Sequence, residues 1–226
     1  MPSNTKKEYY VDLTFCIDAT QSMYNVIDMV KNNALNFYQD VMAAMAQKDK
    51  TIARMRISII AFRDYKYDHE DAMLQTDFFT LPDDSVLFRN IVTGIEAKGG
   101  GDDPEDGLEA LAYAIRSDWD RSQSGKHRHV IVIWTDAATH ELGFGAGDSN
   151  YPSDLPRDFG ELTRWWDKDE YISKDDRRLV IFAPDEPYWN TISDNWDNVI
   201  HFQSIAGQGM MEVEYSQIID VISNTI

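Results

Sequence analysis

The chain reads as a doubly wound α/β domain: a mostly parallel six-stranded sheet with one antiparallel edge strand and helices on both faces. Three observations predict it. Short apolar runs rich in β-branched and aromatic residues alternate with longer amphipathic stretches along all 226 residues. Two of those runs, Val11 to Ile17 and His129 to Thr135, stop abruptly at an aspartate, Asp18 and Asp136. No Pro/Ser-rich linker and no internal repeat divides the chain, so a single domain over 1–226, with 1–8 as a tail, is expected. In such sheets ligands sit outside the carboxyl ends of the strands, which is where both aspartates fall.

The elements follow in order. After the first strand, Met23, Ile27, Val30, Ala34, Phe37, Tyr38, Val41, Met42 and Met45 recur at three and four residues, the stripe of a long helix from Ser22 to about Lys48. Its Met and aromatic content is core filling. Met55 to Phe62 is a nearly continuous apolar run of the kind found in buried parallel strands. Arg63 to Glu70 is polar and loop-like, and Met73 to Leu81 reads as an edge strand before Pro82, antiparallel because the connection is short. Asp83 or Asp84 caps a helix through Val86, Phe88, Ile91 and Val92. The loop Gly99-Gly100-Gly101-Asp102-Asp103-Pro104-Glu105-Asp106 turns sharply, and Pro104 with Glu105 suits the first turn of a helix through Leu108, Leu111, Ala112 and Ile115.

Beyond Asp136 comes a Gly-rich loop, Gly143 to Asp148, and then a helix from about Asp158 to Ile172. Strands Arg178 to Ala183 and Val199 to Phe202 and a closing helix around Val213 to Ile222 complete the pattern. Trp165, Trp166, Trp189 and Trp196 either fill the space between these late helices and the sheet or form a contact surface.

Composition narrows the function classes. Lys and Arg number 21 against 39 Asp and Glu, a net charge of −18. Like charges then argue against nucleic acid and anionic membranes as partners. No apolar run reaches the length of a membrane span, and no apolar core follows Lys6-Lys7, so neither an anchor nor a signal peptide is expected. The single cysteine, Cys16, has no disulfide partner, which fits a reducing, cytoplasmic setting.

Asp18 is followed at spacings of two and four by Thr20 and Ser22, and a turn that directs these three oxygens to one point suits a hard cation such as Mg²⁺. The plainer alternative is that the three residues cap the following helix. Glu105 and Asp106 read as acids complementing a helix dipole. His127 and His129 lie in a strand with no Cys/His spacing for zinc. Met210-Met211 reads as packing, and Gly143 to Gly147 with Phe144 and Tyr151 as either a partner-binding rim or an ordinary loop.

The motifs resemble those of von Willebrand factor type A domains with a metal-ion-dependent adhesion site, whose signature is D-x-S-x-S, a threonine in a central loop and an aspartate after the fourth strand. Asp18, Thr20 and Ser22 match the first part, with Thr for Ser, and Asp136 the last. Aligning the glycines puts Asp102 where the threonine would stand, a departure from the pattern. Gly99 to Asp106 resembles a Gly-Gly-Gly-Asp-x-Pro-Glu-Asp subgroup, as do Arg63-Asp64-Tyr65 and His140. The resemblance implies a Rossmann-like fold and a site of Asp18, Thr20, Ser22, Asp102 and Asp136 holding Mg²⁺, with Mn²⁺ or Ca²⁺ as alternatives. It also implies Asp64 supporting the rim from behind, and a partner protein that offers an acidic side chain to the metal.

The resulting expectation is a non-enzymatic, Mg²⁺-dependent protein-interaction module within a multi-protein system. Its rival is a Mg²⁺-dependent phosphoryl-transfer or hydrolytic enzyme using the same rim. Against the rival, the first strand lacks the second aspartate of an Asp-x-Asp nucleophile pair, and no glycine-lysine phosphate loop is present. A third reading makes the ion a stiffener of the rim.

Overall fold

A computed structural model describes residues 8–122, 125–204, 219–220 and 223–224. Strand β1 (Glu8–Asp18) lies at the centre of a seven-stranded sheet, between β2 (Thr51–Phe62) and β5 (Lys126–Trp134), with β6 (Arg177–Pro184) and β7 (Val199–Ser204) continuing outward from β5. All of these pair in parallel. On the other edge β3 (Met73–Gln75) and β4 (Phe79–Leu81) both run antiparallel to β2.

The mostly parallel sheet with an antiparallel edge follows the sequence pattern, and the edge differs in one detail. The single strand expected over Met73 to Leu81 is two short segments. Between them Thr76 turns its hydroxyl to accept from the Ile59 amide, and Phe78 rotates to lie under the Arg56 guanidinium, 4.5 Å from its ring centre.

Burial on both faces explains the near-continuous apolar strands. Alternate residues of β1 divide between two cores. Val11, Leu13, Phe15 and Ile17 face α1 (Ile27–Gln47) and α3 (Ser85–Gly94), where Phe15 packs edge-on to Phe37 at 5.2 Å and stacks on Trp134 at 4.9 Å. Cys16 faces the opposite core, under α4 (Gly107–Ile115), α5 (Phe159–Asp167) and α6 (Trp189–Asn195). The helical stripe of Val30, Ala34, Phe37, Val41 and Met45 is buried as its spacing requires. Trp166 and Trp189 are wholly buried and Trp196 nearly so, so these rings fill the space behind the sheet.

Three local differences have physical causes. The first helix begins at Ile27, preceded by a tight 3₁₀ turn over Gln21–Asn25. Asp64 caps a short α2 (Tyr65–Asp68) by accepting from the Lys66 amide at 2.7 Å, where only loop was expected. Helix α5 stops at Asp167, short of Ile172; beyond it the Asp169 and Glu170 carbonyls accept from Arg121. Of the closing helix expected at Val213 to Ile222 only residues 219–220 are described, and these are helical; the Met210-Met211 pair and the tail 1–7 lie outside the described residues.

Candidate metal centre

Three loops meet at the carboxyl ends of β1, β2 and β5, and backbone hydrogen bonds lock them together. The Gln21 amide donates to the Gly99 carbonyl, the Lys98 amide to Ala19, the Asp106 amide to Arg63, and the Glu105 amide to Ala138. Arg63, at the end of β2, is nearly buried and ties the same loops from below. Its guanidinium donates to the carbonyls of Ala19, Lys98, Asp71 and Glu96 at 2.7–3.0 Å. The glycines are a steric requirement: Gly99 and Gly100 adopt φ of 73° and 76°, and a Cβ on Gly101 would stand 2.1 Å from Cγ of Tyr67.

Four of the five sequence-predicted residues come together on this platform. Asp18, wholly buried, accepts from the Thr20 hydroxyl at 2.6 Å and amide at 2.9 Å through Oδ1, and from the Thr135 hydroxyl at 2.6 Å through Oδ2. Ser22 donates to Asp136 Oδ1 at 2.8 Å. Thr20 Oγ1 and Ser22 Oγ stand 3.0 Å apart.

Each hydroxyl owns one hydrogen, and each has already given it to a carboxylate. The two hydroxyls are also within hydrogen-bond distance of each other, and each oxygen keeps lone-pair capacity that a cation could take. Thr20 also makes no side-chain cap to the 3₁₀ turn, so the helix-capping alternative fails for it.

Asp102 sits differently. It shares the open cleft of about 420 Å³ lined by Ser22, Asp103, Glu105 and Asp136, but its carboxylate is bonded to His140 Nε2 at 3.0 Å and Tyr67 Oη at 3.2 Å. No hydrogen bond among the described residues joins it to Asp18, Thr20, Ser22 or Asp136. Asp64 meets the same His140 nitrogen at 3.1 Å.

Sequence reasoning missed Glu105. It is 3% exposed, lines the cleft and leaves Oε2 without a hydrogen-bond partner. A Cβ on Gly100 would lie 2.8 Å from Glu105 Oε1 and 3.2 Å from Thr20 Cβ, so the carboxyl stands beside the Asp18 group. A signal was available. Helix α4 is apolar on almost every face and buried along nearly its whole length, so an acid at its mouth has little water to face.

Burial dominates the electrostatics. It pushes the Asp18 carboxyl up to about 6 despite the opposing hydrogen bonds from Thr135 and Thr20. It pushes Glu105 up to about 10, with Asp18 and Asp64 adding repulsion, and raises Asp136 as well. Deeper in, burial lifts Asp106 and Glu109, with Glu109 and Asp64 adding repulsion at Asp106 and Asp64 adding it at Glu109. His140 moves the other way from what burial alone would do, because Asp64 and Asp102 hold its proton. Asp136 Oδ2, like Glu105 Oε2, has no partner. Buried carboxyls without countercharge fit a divalent cation in number and type.

A family model described as von Willebrand factor A domain matches residues 12–142, more than half of the chain. Among solved structures, the pilus adhesin SpaC from Lactobacillus rhamnosus GG aligns over 98% of this chain with a TM-score of 0.56 and 12% identity. Its open conformation gives 0.55 at the same identity. This chain spans 30% of the length of that adhesin, and at such identity the likeness speaks to the fold alone. The vWF domain of the type V pili tip protein Mfa5 from Porphyromonas gingivalis gives 0.39 at 17% identity, over 58% of this chain and 39% of that one, and carries no argument. No curated protein matches.

Proposed function

The chain belongs to the von Willebrand factor A domain family, and we propose that it is a Mg²⁺-dependent protein-interaction module whose metal-ion-dependent adhesion site is built by Asp18, Thr20, Ser22, Asp136 and Glu105. One observation carries this reading: two hydroxyl oxygens 3.0 Å apart, each also hydrogen-bonded to a buried aspartate, stand beside two buried carboxyl oxygens with no partner. Thr20 and Ser22 would offer their lone pairs to the ion. Asp18 and Asp136 would neutralise it, and Glu105 would give up its proton to join them. Mn²⁺ and Ca²⁺ satisfy the same oxygen set. Asp102 remains across the cleft, close to whatever the ion binds.

An ion held this way polarises an oxygen ligand offered from outside. In the reading implied by the family resemblance, that ligand is a partner protein's carboxylate. The phosphoryl-transfer alternative is weaker because Asp102, Asp103, Glu105, Asp136 and Glu186 line the cleft with no lysine or arginine to cradle a phosphate. A reducing, cytoplasmic setting, in which the buried Cys16 stays a thiol, is part of the proposal.

Calorimetric titration of chelator-stripped protein with Mg²⁺ tests it, together with partner capture from source-cell extract in Mg²⁺ or EDTA. Wild type should bind the ion and capture a partner only when it is present. Asp136→Ala and Ser22→Ala should do neither while remaining folded. Equal Mg²⁺ affinity in wild type and both variants would overturn the site, and EDTA-insensitive capture would overturn the metal-dependent role.

A further inference from the structure

A second group of donors lies beside the first. Asp64 Oδ2, Asp102 Oδ1 and His140 Nε2 come from three different loops and lie within 4.8 Å of one another. The ring nitrogen stands 3.1 Å from Asp64 and 3.0 Å from Asp102. One nitrogen carries at most one hydrogen, so it cannot serve two carboxylates at full strength. The three atoms are also held ready. Asp64 is wholly buried with its other oxygen fixed by the Lys66 amide at 2.7 Å, and the His140 ring stacks on Phe144 with centroids 3.7 Å apart. Asp102 stays partly exposed, which leaves water access to the open side.

A neighbouring acid, whose Oδ2 accepts from the Tyr65 amide at 2.7 Å next to Asp64, is also short of a partner. Asp106, wholly buried and near enough to Asp64 and His140 for both to act on its charge, leaves Oδ1 without a hydrogen-bond partner. Four carboxyls therefore crowd this wall: Asp64, Asp102, Glu105 and Asp106. The nearest positive group to the first two is one imidazole.

We propose that Asp64, Asp102 and His140 form a second divalent-cation site, distinct from the one at Asp18, Thr20, Ser22 and Asp136. An imidazole nitrogen with two carboxylates selects Mn²⁺ or Zn²⁺ over Mg²⁺, whereas the all-oxygen site does not discriminate in that way. Asp102 and Glu105 belong to one loop, and Glu105 stands within reach of both Asp18 and Asp64. An ion on His140 thus fixes the wall of the cleft that faces the first site.

Chelator-stripped full chain titrated with Mn²⁺, read by electron paramagnetic resonance for free ion and for nitrogen coupling to bound ion, tests the proposal. Wild type should bind two equivalents, one showing coupling to an imidazole nitrogen. His140→Gln should lose that equivalent and the coupling; Asp136→Ala should keep both and lose the other equivalent. Thermal unfolding checks that each variant folds, and Asp102→Asn, at a partly exposed position, replaces His140→Gln if that variant does not.

A single equivalent in wild type, lost in Asp136→Ala and unaltered in His140→Gln, would overturn the second site and leave the first. A single equivalent with the opposite pattern keeps the second site and removes the first. Two equivalents without nitrogen coupling also overturn the proposal.

Discussion

Two groups of buried acids in this sheet are opposites. Toward the amino ends of the strands, Asp12 accepts two hydrogen bonds from Arg56, at 2.8 and 2.6 Å, and another from the Asp120 amide at 2.6 Å. Asp120 pairs with Arg54. Burial alone would raise Asp120, but the Ser122 amide and Arg54 hold it below the usual carboxylate range. At the carboxyl ends, Asp18, Glu105, Asp106 and Asp136 are just as buried and have no arginine facing their oxygens; Arg63 gives its hydrogen bonds to carbonyls instead. Their affinity for protons rises accordingly. Burial therefore does not itself distinguish a structural acid from a binding one. What distinguishes them is whether the fold supplies the countercharge.

The sharpest way to break that contrast is to delete one acid from each group. Asp12→Ala strands Arg56 in a largely buried site, and unfolding by urea should show a loss of about 3 kcal/mol. Asp136→Ala removes a repelling charge and should leave the metal-free protein at least as stable as wild type. If both variants lose similar stability, the two groups are equivalent and the contrast fails.

Next in size is the effect of the ion. Mg²⁺ at about 100 times its dissociation constant should stabilise wild type by roughly 2.7 kcal/mol. The melting temperature then rises by about 5–10 °C for a chain of this length. Asp136→Ala should show no such rise in a thermal scan.

An effect of the same order appears with pH. The folded-state values of Asp18 and Glu105, about 6 and about 10, lie above those of an unfolded chain. Between the two limits the folded state binds more protons than the unfolded one, so metal-free stability falls as pH rises. The window opens near pH 4 to 5 and runs through 6 for Asp18 and toward 10 for Glu105. Denaturation midpoints without divalent ion should decline from pH 5 to pH 8, and Glu105→Gln should flatten the decline. An equally steep slope in that variant would remove Glu105 as its source.

Much of the fold was legible because period and length sufficed: the stripe of α1, the two-sided apolar strands and the terminal aspartates all act through local pattern. Helix α6 escaped because seven residues, Trp189–Asn195, are too few to display a stripe. The split of the edge strand escaped because it depends on Arg56 finding Phe78 across the sheet.

In the candidate site, Asp18, Thr20 and Ser22 share one short spacing and Asp136 ends a strand, so sequence proximity marks them. Glu105 carries no such mark: an acid at a helix start ordinarily faces water, and only the burial of α4 on all sides changes that. Asp102 was assigned by counting glycines, and the structure instead joins it to His140, which lies 38 residues away in sequence.

The smallest effect concerns the surface around the rim. Tyr24, two residues past Ser22 on the 3₁₀ turn, is 67% exposed, a large ring open to solvent close in sequence to a residue that lines the acidic cleft. Tyr24→Ser removes no buried contact, so its stability and Mg²⁺ affinity should stay within about 0.5 kcal/mol of wild type. Partner capture in Mg²⁺ should nevertheless weaken, since an exposed ring next to a charged anchor is where an interface gains apolar area. Unchanged capture would confine recognition to the ion and its carboxylates. Weakened Mg²⁺ binding would instead mean that the turn carrying Ser22 depends on this ring, and the separation between the binding rim and the paired, structural end of the sheet would have to be drawn elsewhere.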